Sequence, residues 1–407
     1  FKPHFMLTTP HYHGTDPARK QLTAHLAGVP TGCYRVQEVT GNGDADWFLE
    51  GVTSRLSFRS RRDPGSQMIV NAYAILAAFL CLLQVLFGLL VIGSSLSSLR
   101  RWTLSPTLEQ RQAVEERTYL QLLLALLLLG FNLASWPVLY LLLQSYVPSW
   151  PEVMCIFGVT RIGTGSLSSS RHLPWLLSTL QATKPLLVFL GGSWFVVYLA
   201  NRGTPNAALM RRLLIWLLPL GLLSVGDALC EAAYLGIPKQ EEMLSVGCCT
   251  AGLMDSSRFV PQSLLESGGR DGLTAAFFLC VGLLCAALFF SIRRGRFQRG
   301  QLVGLLAGAV ACLGLGVVFL VEVASPSLLQ RPHYCPYDLV DEVPESMLAL
   351  VLFLLGSFSV GWATVVHGCA RVSETRELLP SLIGRVLFLG LFGYLGSLVM
   401  VSLELAL

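Results

Sequence analysis

The chain has 407 residues, of which 53% are hydrophobic and 13% charged, with a net charge of +4. Soluble globular domains carry about 25% charge to keep their surface wetted. A water-exposed body of this size is therefore excluded, as are disordered, collagen-like, coiled-coil and small disulfide-scaffold classes. What remains is an all-α polytopic membrane protein. The mild basic excess comes without a basic groove interleaved with aromatics, so nucleic acid is not expected as a partner.

In chain order, residues 1–66 come first and read as an extramembrane segment. Turn signals fall at Gly41-Asn42-Gly43 and Asp63-Pro64-Gly65. The runs 33–39 and 54–60 partly alternate, as short strands do, so a small β-rich segment is expected here.

Residues 67–407 then form the membrane domain. A hydrocarbon core about 30 Å thick needs about 20 apolar residues in a helix. Eight stretches meet that length, at 69–95, 118–145, 174–200, 212–236, 273–292, 301–325, 346–369 and 380–405. Arginine marks their orientation. Arg100, Arg101 and Arg111 follow the first span, and Arg202, Arg211 and Arg212 follow the third. Arg293, Arg294, Arg296 and Arg299 follow the fifth, and Arg371 and Arg376 the seventh. Short loops rich in arginine stay on the cytoplasmic side. The opposite loops and the N-terminal segment are then expected on the non-cytoplasmic side. Arg59, Arg61 and Arg62 before the first span run against this assignment and are outvoted by four loops.

The spans group as four hairpins, each with a basic turn and each preceded by a cysteine-bearing segment: 31–39, 153–174, 247–261 and 333–344. SSRHLP at 169–174 matches SSRFVP at 256–261. The expectation is a repeated two-helix unit, all copies entering the membrane in the same direction.

The outer cysteines are Cys33, Cys155, Cys248, Cys249 and Cys335. In an oxidising compartment they are expected to pair as disulfides. There is no Cys-x-x-Cys, which a thiol–disulfide enzyme would ordinarily present. A metal reading rests on Cys33, Cys155, Cys335, His11, His13 and His333, because imidazole and thiolate suit copper or zinc. No spacing matches a closed zinc site, and no cofactor is indicated.

Ionisable groups inside spans are costly and so mark function or ion pairing. Lys184 lies in the third span, Asp227 and Glu231 in the fourth, Glu322 in the sixth and Glu404 in the eighth. Asp227 and Glu231 are four apart and share a helix face. Lys184 is expected to pair with one of them, and Asn132 to hydrogen-bond between helices.

Walker A, dinucleotide, HExxH and nucleophile-elbow motifs are lacking. The leading expectation is a non-enzymatic subunit of a larger membrane complex. It would contact lipid and other membrane subunits and dock through its cysteine-bearing face. The alternative is an ion- or proton-translocating protein that uses the intramembrane acids and Lys184. A third is an outer-face metal or thiol redox protein.

Overall fold

The structure is a computed structural model that describes residues 71–104, 108–149, 153, 155–163, 169–204, 208–239, 269–330 and 333–406. The expected β-rich segment at 1–66 lies outside them, as do Cys33, Cys248, Cys249, His11 and His13. Among the described residues every regular element is helical. Eight helices are long and apolar enough to cross a membrane. They are α1 (Ala72–Leu104), α2 (Leu108–Tyr146), α3 (Leu173–Arg202), α4 (Met210–Gly236), α5 (Arg270–Arg294), α6 (Arg299–Phe319), α7 (Glu345–Cys369) and α8 (Leu378–Ala406). Six of them contain the stretch expected from hydropathy; α1 begins three residues into 69–95, and the last six residues of 301–325 lie beyond α6. The helices outrun several of those stretches because their polar ends satisfy their own backbone. The third span, for example, runs from Ser170 to Arg202.

Breakers and caps fall where the sequence puts them. The turn between α5 and α6 needs a left-handed residue, and Gly295 takes φ 61° there. Pro137, Pro185 and Pro219 sit inside α2, α3 and α4, where a missing N–H leaves a carbonyl unpaired. Beyond Phe319, α6 passes into a π turn at Leu320–Ala324. Pro326 lies just past it, and the Ser325 hydroxyl donates to the Leu320 carbonyl at 2.8 Å. The same carbonyl also accepts the Ser325 backbone N–H, the i→i+5 bond of a π turn.

The arrangement has two halves. α1 packs on α2 and α4, and α3 packs on α4. In the second half α5 packs on α6 and α8, and α7 packs on α8. The halves meet through α3 and α7. There the Trp362 indole N–H donates to the Phe189 carbonyl at 2.9 Å. A Cβ on Gly192 would come within 2.3 Å of the Trp362 ring, so glycine makes room for the indole.

The two halves differ in tightness. α1 and α4 touch backbone to backbone: a Cβ on Gly88 would lie 2.6 Å from Val225 and 3.4 Å from the Gly221 carbonyl. α7 and α8 meet in the same way at Gly356 and Gly393. α5 and α6 pack more loosely and line a groove of about 620 Å³ with Leu284, Ala287, Ser291, Gly304, Gly308 and Cys312.

Candidate functional site

The expected charges form a buried layer across the first half. Lys184 Nζ lies 2.8 Å from Asp227 Oδ2 and 2.6 Å from Glu231 Oε2. The lysine therefore pairs with both carboxylates rather than one. Their four-residue spacing puts both on the face of α4 that meets α3. The ammonium also donates to Ser135 Oγ at 3.2 Å. The neighbouring Thr183 hydroxyl donates to the other oxygen of Asp227.

Ser135 links this ionic half to an amide half. Its hydroxyl also receives Gln84 Nε2 at 3.2 Å. Gln84 Nε2 donates to Asn132 Oδ1 at 2.8 Å, and Ser224 Oγ donates to the same oxygen at 2.8 Å. Asn132 thus bridges helices as expected. Gln84, Ser135, Thr183 and Ser224 complete a layer that a search for charges alone does not find. A scan for any polar residue in an apolar run would have found Gln84.

The layer is sealed. Lys184 and Asp227 are each 1% exposed, and Glu231 and Gln84 are fully buried. Toward the arginine-rich end it abuts an apolar cluster that includes Val91, Leu128, Leu187 and Leu220. Toward the cysteine-bearing end lies a separate cluster that includes Ala77, Leu139, Leu180 and Tyr234. The polar layer separates the two apolar cores. It holds one ammonium and two carboxylates, so its formal charge is −1. Glu231 Oε1, Gln84 Oε1 and Asn132 Nδ2 have no hydrogen-bond partner among the described residues.

The remaining acids lie elsewhere. Glu322 is buried in the π turn after α6. Glu404 is half-buried near the end of α8. Both belong to the second half and neither joins the Lys184 layer. Beyond the membrane span, Lys239 donates to the Tyr234 carbonyl at 2.9 Å and lies over the Tyr146 and Tyr234 rings. Burial pushes its amine down to about 8.

A second cluster sits at the cysteine-bearing end. Cys155 precedes the short helix Ile156–Thr160, and Cys335 precedes the short helix Pro336–Glu342. Pro336 suits the first helical position because its missing N–H costs nothing there. That turn brings Asp338 back over Cys335. The Cys335 thiol donates to Cys155 Sγ at 3.6 Å, and no disulfide joins the two sulfurs. Cys155, Cys335 and Asp338 offer one atom each, all within 4.8 Å of one another. His333 Nε2 pairs with Asp338 Oδ2. The loop is clamped to the spans: Gln144 Nε2 donates to Asp341 at 3.1 Å and Gln181 Nε2 to the Tyr337 hydroxyl at 3.1 Å.

Three of the expected metal-ligating residues, Cys155, Cys335 and His333, are thus brought together. Asp338 was not foreseen, since its position depends on the helical turn that Pro336 starts. The disulfide expectation is not met among the described residues, whose cysteines carry no S–S bond. Cys280 and Cys312 face each other across α5 and α6 with sulfurs 3.1 Å apart.

Compared with protein-family models, curated proteins and solved structures, the chain matches none. The reading of function therefore rests on its own geometry.

Proposed function

We propose that the protein is a non-enzymatic integral membrane subunit of a larger membrane complex, and that α6 is a helix through which it docks. One observation carries this reading. Gly300, Gly304, Ala307, Ala311 and Gly314 are all exposed on α6, at alternating spacings of four and three residues. They form a straight seam of small residues flanked by Val303, Val310 and Val317, which are 50%, 61% and 49% exposed. In lipid, helix association depends on close backbone approach, and small residues repeating every four positions allow it. A Cβ on Gly300, Gly304 or Gly314 would meet nothing within 4 Å, so the seam is unused among the described residues. In this reading the four-hairpin order is a repeat whose third hairpin has opened for a partner. The arginine-rich end faces the cytoplasm and the cysteine-bearing end faces away.

Purification in mild detergent should yield the chain with partner subunits. Gly304→Ile combined with Ala311→Ile should strip those partners while leaving thermal stability unchanged. A chain that emerges alone as a monomer overturns the proposal.

A second reading is favoured by a specific feature of the polar layer. The excess carboxylate and the unpartnered Glu231 Oε1 suit an occluded proton or cation site. In proteoliposomes holding a pH-sensitive dye, a proton flux abolished by Glu231→Gln would support translocation. Equal traces from the native and Glu231→Gln proteins, or no flux in either, would sink it.

A further inference from the structure

We propose that Cys155, Cys335 and Asp338 bind a zinc ion that ties the segment after α2 to the segment before α7. Three observations carry this. First, the separation of the sulfurs suits a shared metal. Two thiolates at about 2.3 Å from a tetrahedral zinc stand about 3.8 Å apart. The observed 3.6 Å is close to that edge, with no rearrangement of either loop. Second, a third ligand is at hand: a carboxylate oxygen of Asp338 lies within 4.8 Å of both sulfurs. Third, that carboxylate is already oriented, because His333 pairs with its Oδ2. A ligand held by an outer hydrogen-bonding partner is the usual arrangement around bound metals.

The donor set selects the ion. Two thiolates with a carboxylate suit a borderline cation better than the soft copper(I) or the hard magnesium and calcium. Among the described residues these side chains supply three of the four ligands of a tetrahedral zinc. Binding releases the two thiol protons, so uptake of zinc is pH-dependent and needs no oxidant or reductant. Cys155 is 3% exposed and Cys335 fully buried, which keeps competing water from the sulfurs. The residues are 180 positions apart in sequence, so the ion would hold the α2–α3 connection of the first half to the α6–α7 connection of the second. This inference is independent of the docking seam on α6.

The test uses the full chain purified in mild detergent without chelator. Elemental analysis should find about one zinc per chain, as a structural site gives. Cys335→Ser should bring zinc to background, and His333→Ala should weaken it about 10–100-fold in chelator competition. Replacing zinc by cobalt should produce a thiolate-to-cobalt charge-transfer band that Cys155→Ser removes. If the cysteine variants do not fold, the His333→Ala competition and the cobalt spectrum of the native chain decide the matter. Zinc absent from the native chain overturns the proposal. So does zinc retained in folded Cys335→Ser, or peptide mapping that finds Cys155 and Cys335 joined as a disulfide.

Discussion

Replacing Lys184 by methionine should lower the free energy of unfolding by about 3–5 kcal/mol, the usual cost of removing one partner from a buried ion pair. The reason is the arithmetic of the layer. Among the described residues Lys184 is the only cation bonded to Asp227 and Glu231, at 2.8 and 2.6 Å. Without it two carboxylates remain on one face of α4, enclosed by apolar clusters on both sides. Neither can reach water, so each must take up a proton or stay charged in a medium that opposes charge. Glu231→Gln should cost much less. It removes the excess negative charge and keeps the Lys184–Asp227 pair. Denaturation in mixed micelles compares the variants directly. If Lys184→Met and Glu231→Gln lose equal stability, the charge balance described for the layer is wrong.

Gly393→Leu should be the most damaging change at a helix contact. A Cβ there would lie 2.6 Å from the Leu352 carbonyl oxygen and 2.8 Å from the Gly356 nitrogen. Both are backbone atoms of α7, so no rotamer relieves the overlap and the helices must part. Overpacking costs about 1–3 kcal/mol where side chains can yield, and this site should reach or exceed the top of that range. Separation would also break the 3.0 Å bond between the Ser357 and Tyr394 hydroxyls. Gly314→Leu is the matched control, since a Cβ there meets nothing within 4 Å. Thermal melts should show a large drop for Gly393→Leu and almost none for Gly314→Leu in the isolated chain. Equal drops would contradict the close contact of α7 and α8.

Much of this was legible in the sequence because lipid is a strict solvent. A span must be long and apolar, so eight stretches announced eight helices. A charge inside a span must find a partner, so Lys184 pointed to Asp227 and Glu231 before any geometry was known. Neutral polar residues give a weaker signal. Gln84 stands out as polar in an apolar run, but Ser135 and Ser224 look unremarkable there, and only packing shows that the three share one layer. Asp338 was hidden for a different reason. Its distance from Cys335 in space depends on a single helical turn, which the loop-like stretch 333–344 does not advertise. The small-residue seam on α6 was visible as composition. That its members face outward became clear only from the neighbours that cover the opposite side.

The polar layer also constrains how the chain enters the membrane. A lysine near the middle of an isolated span opposes insertion by about 2.5–3.5 kcal/mol. α3 carries Lys184, and the carboxylates that neutralise it lie on α4, which follows after a short connection. α3 is therefore poorly suited to entering lipid alone and well suited to entering together with α4. By the same logic Gln84 on α1 reaches its partner Asn132 only when α2 arrives. The first half should then leave the translocon two helices at a time, each pair carrying its own polar compensation. Ser135, which bonds both Gln84 and Lys184, would join the two pairs in the last step of assembly.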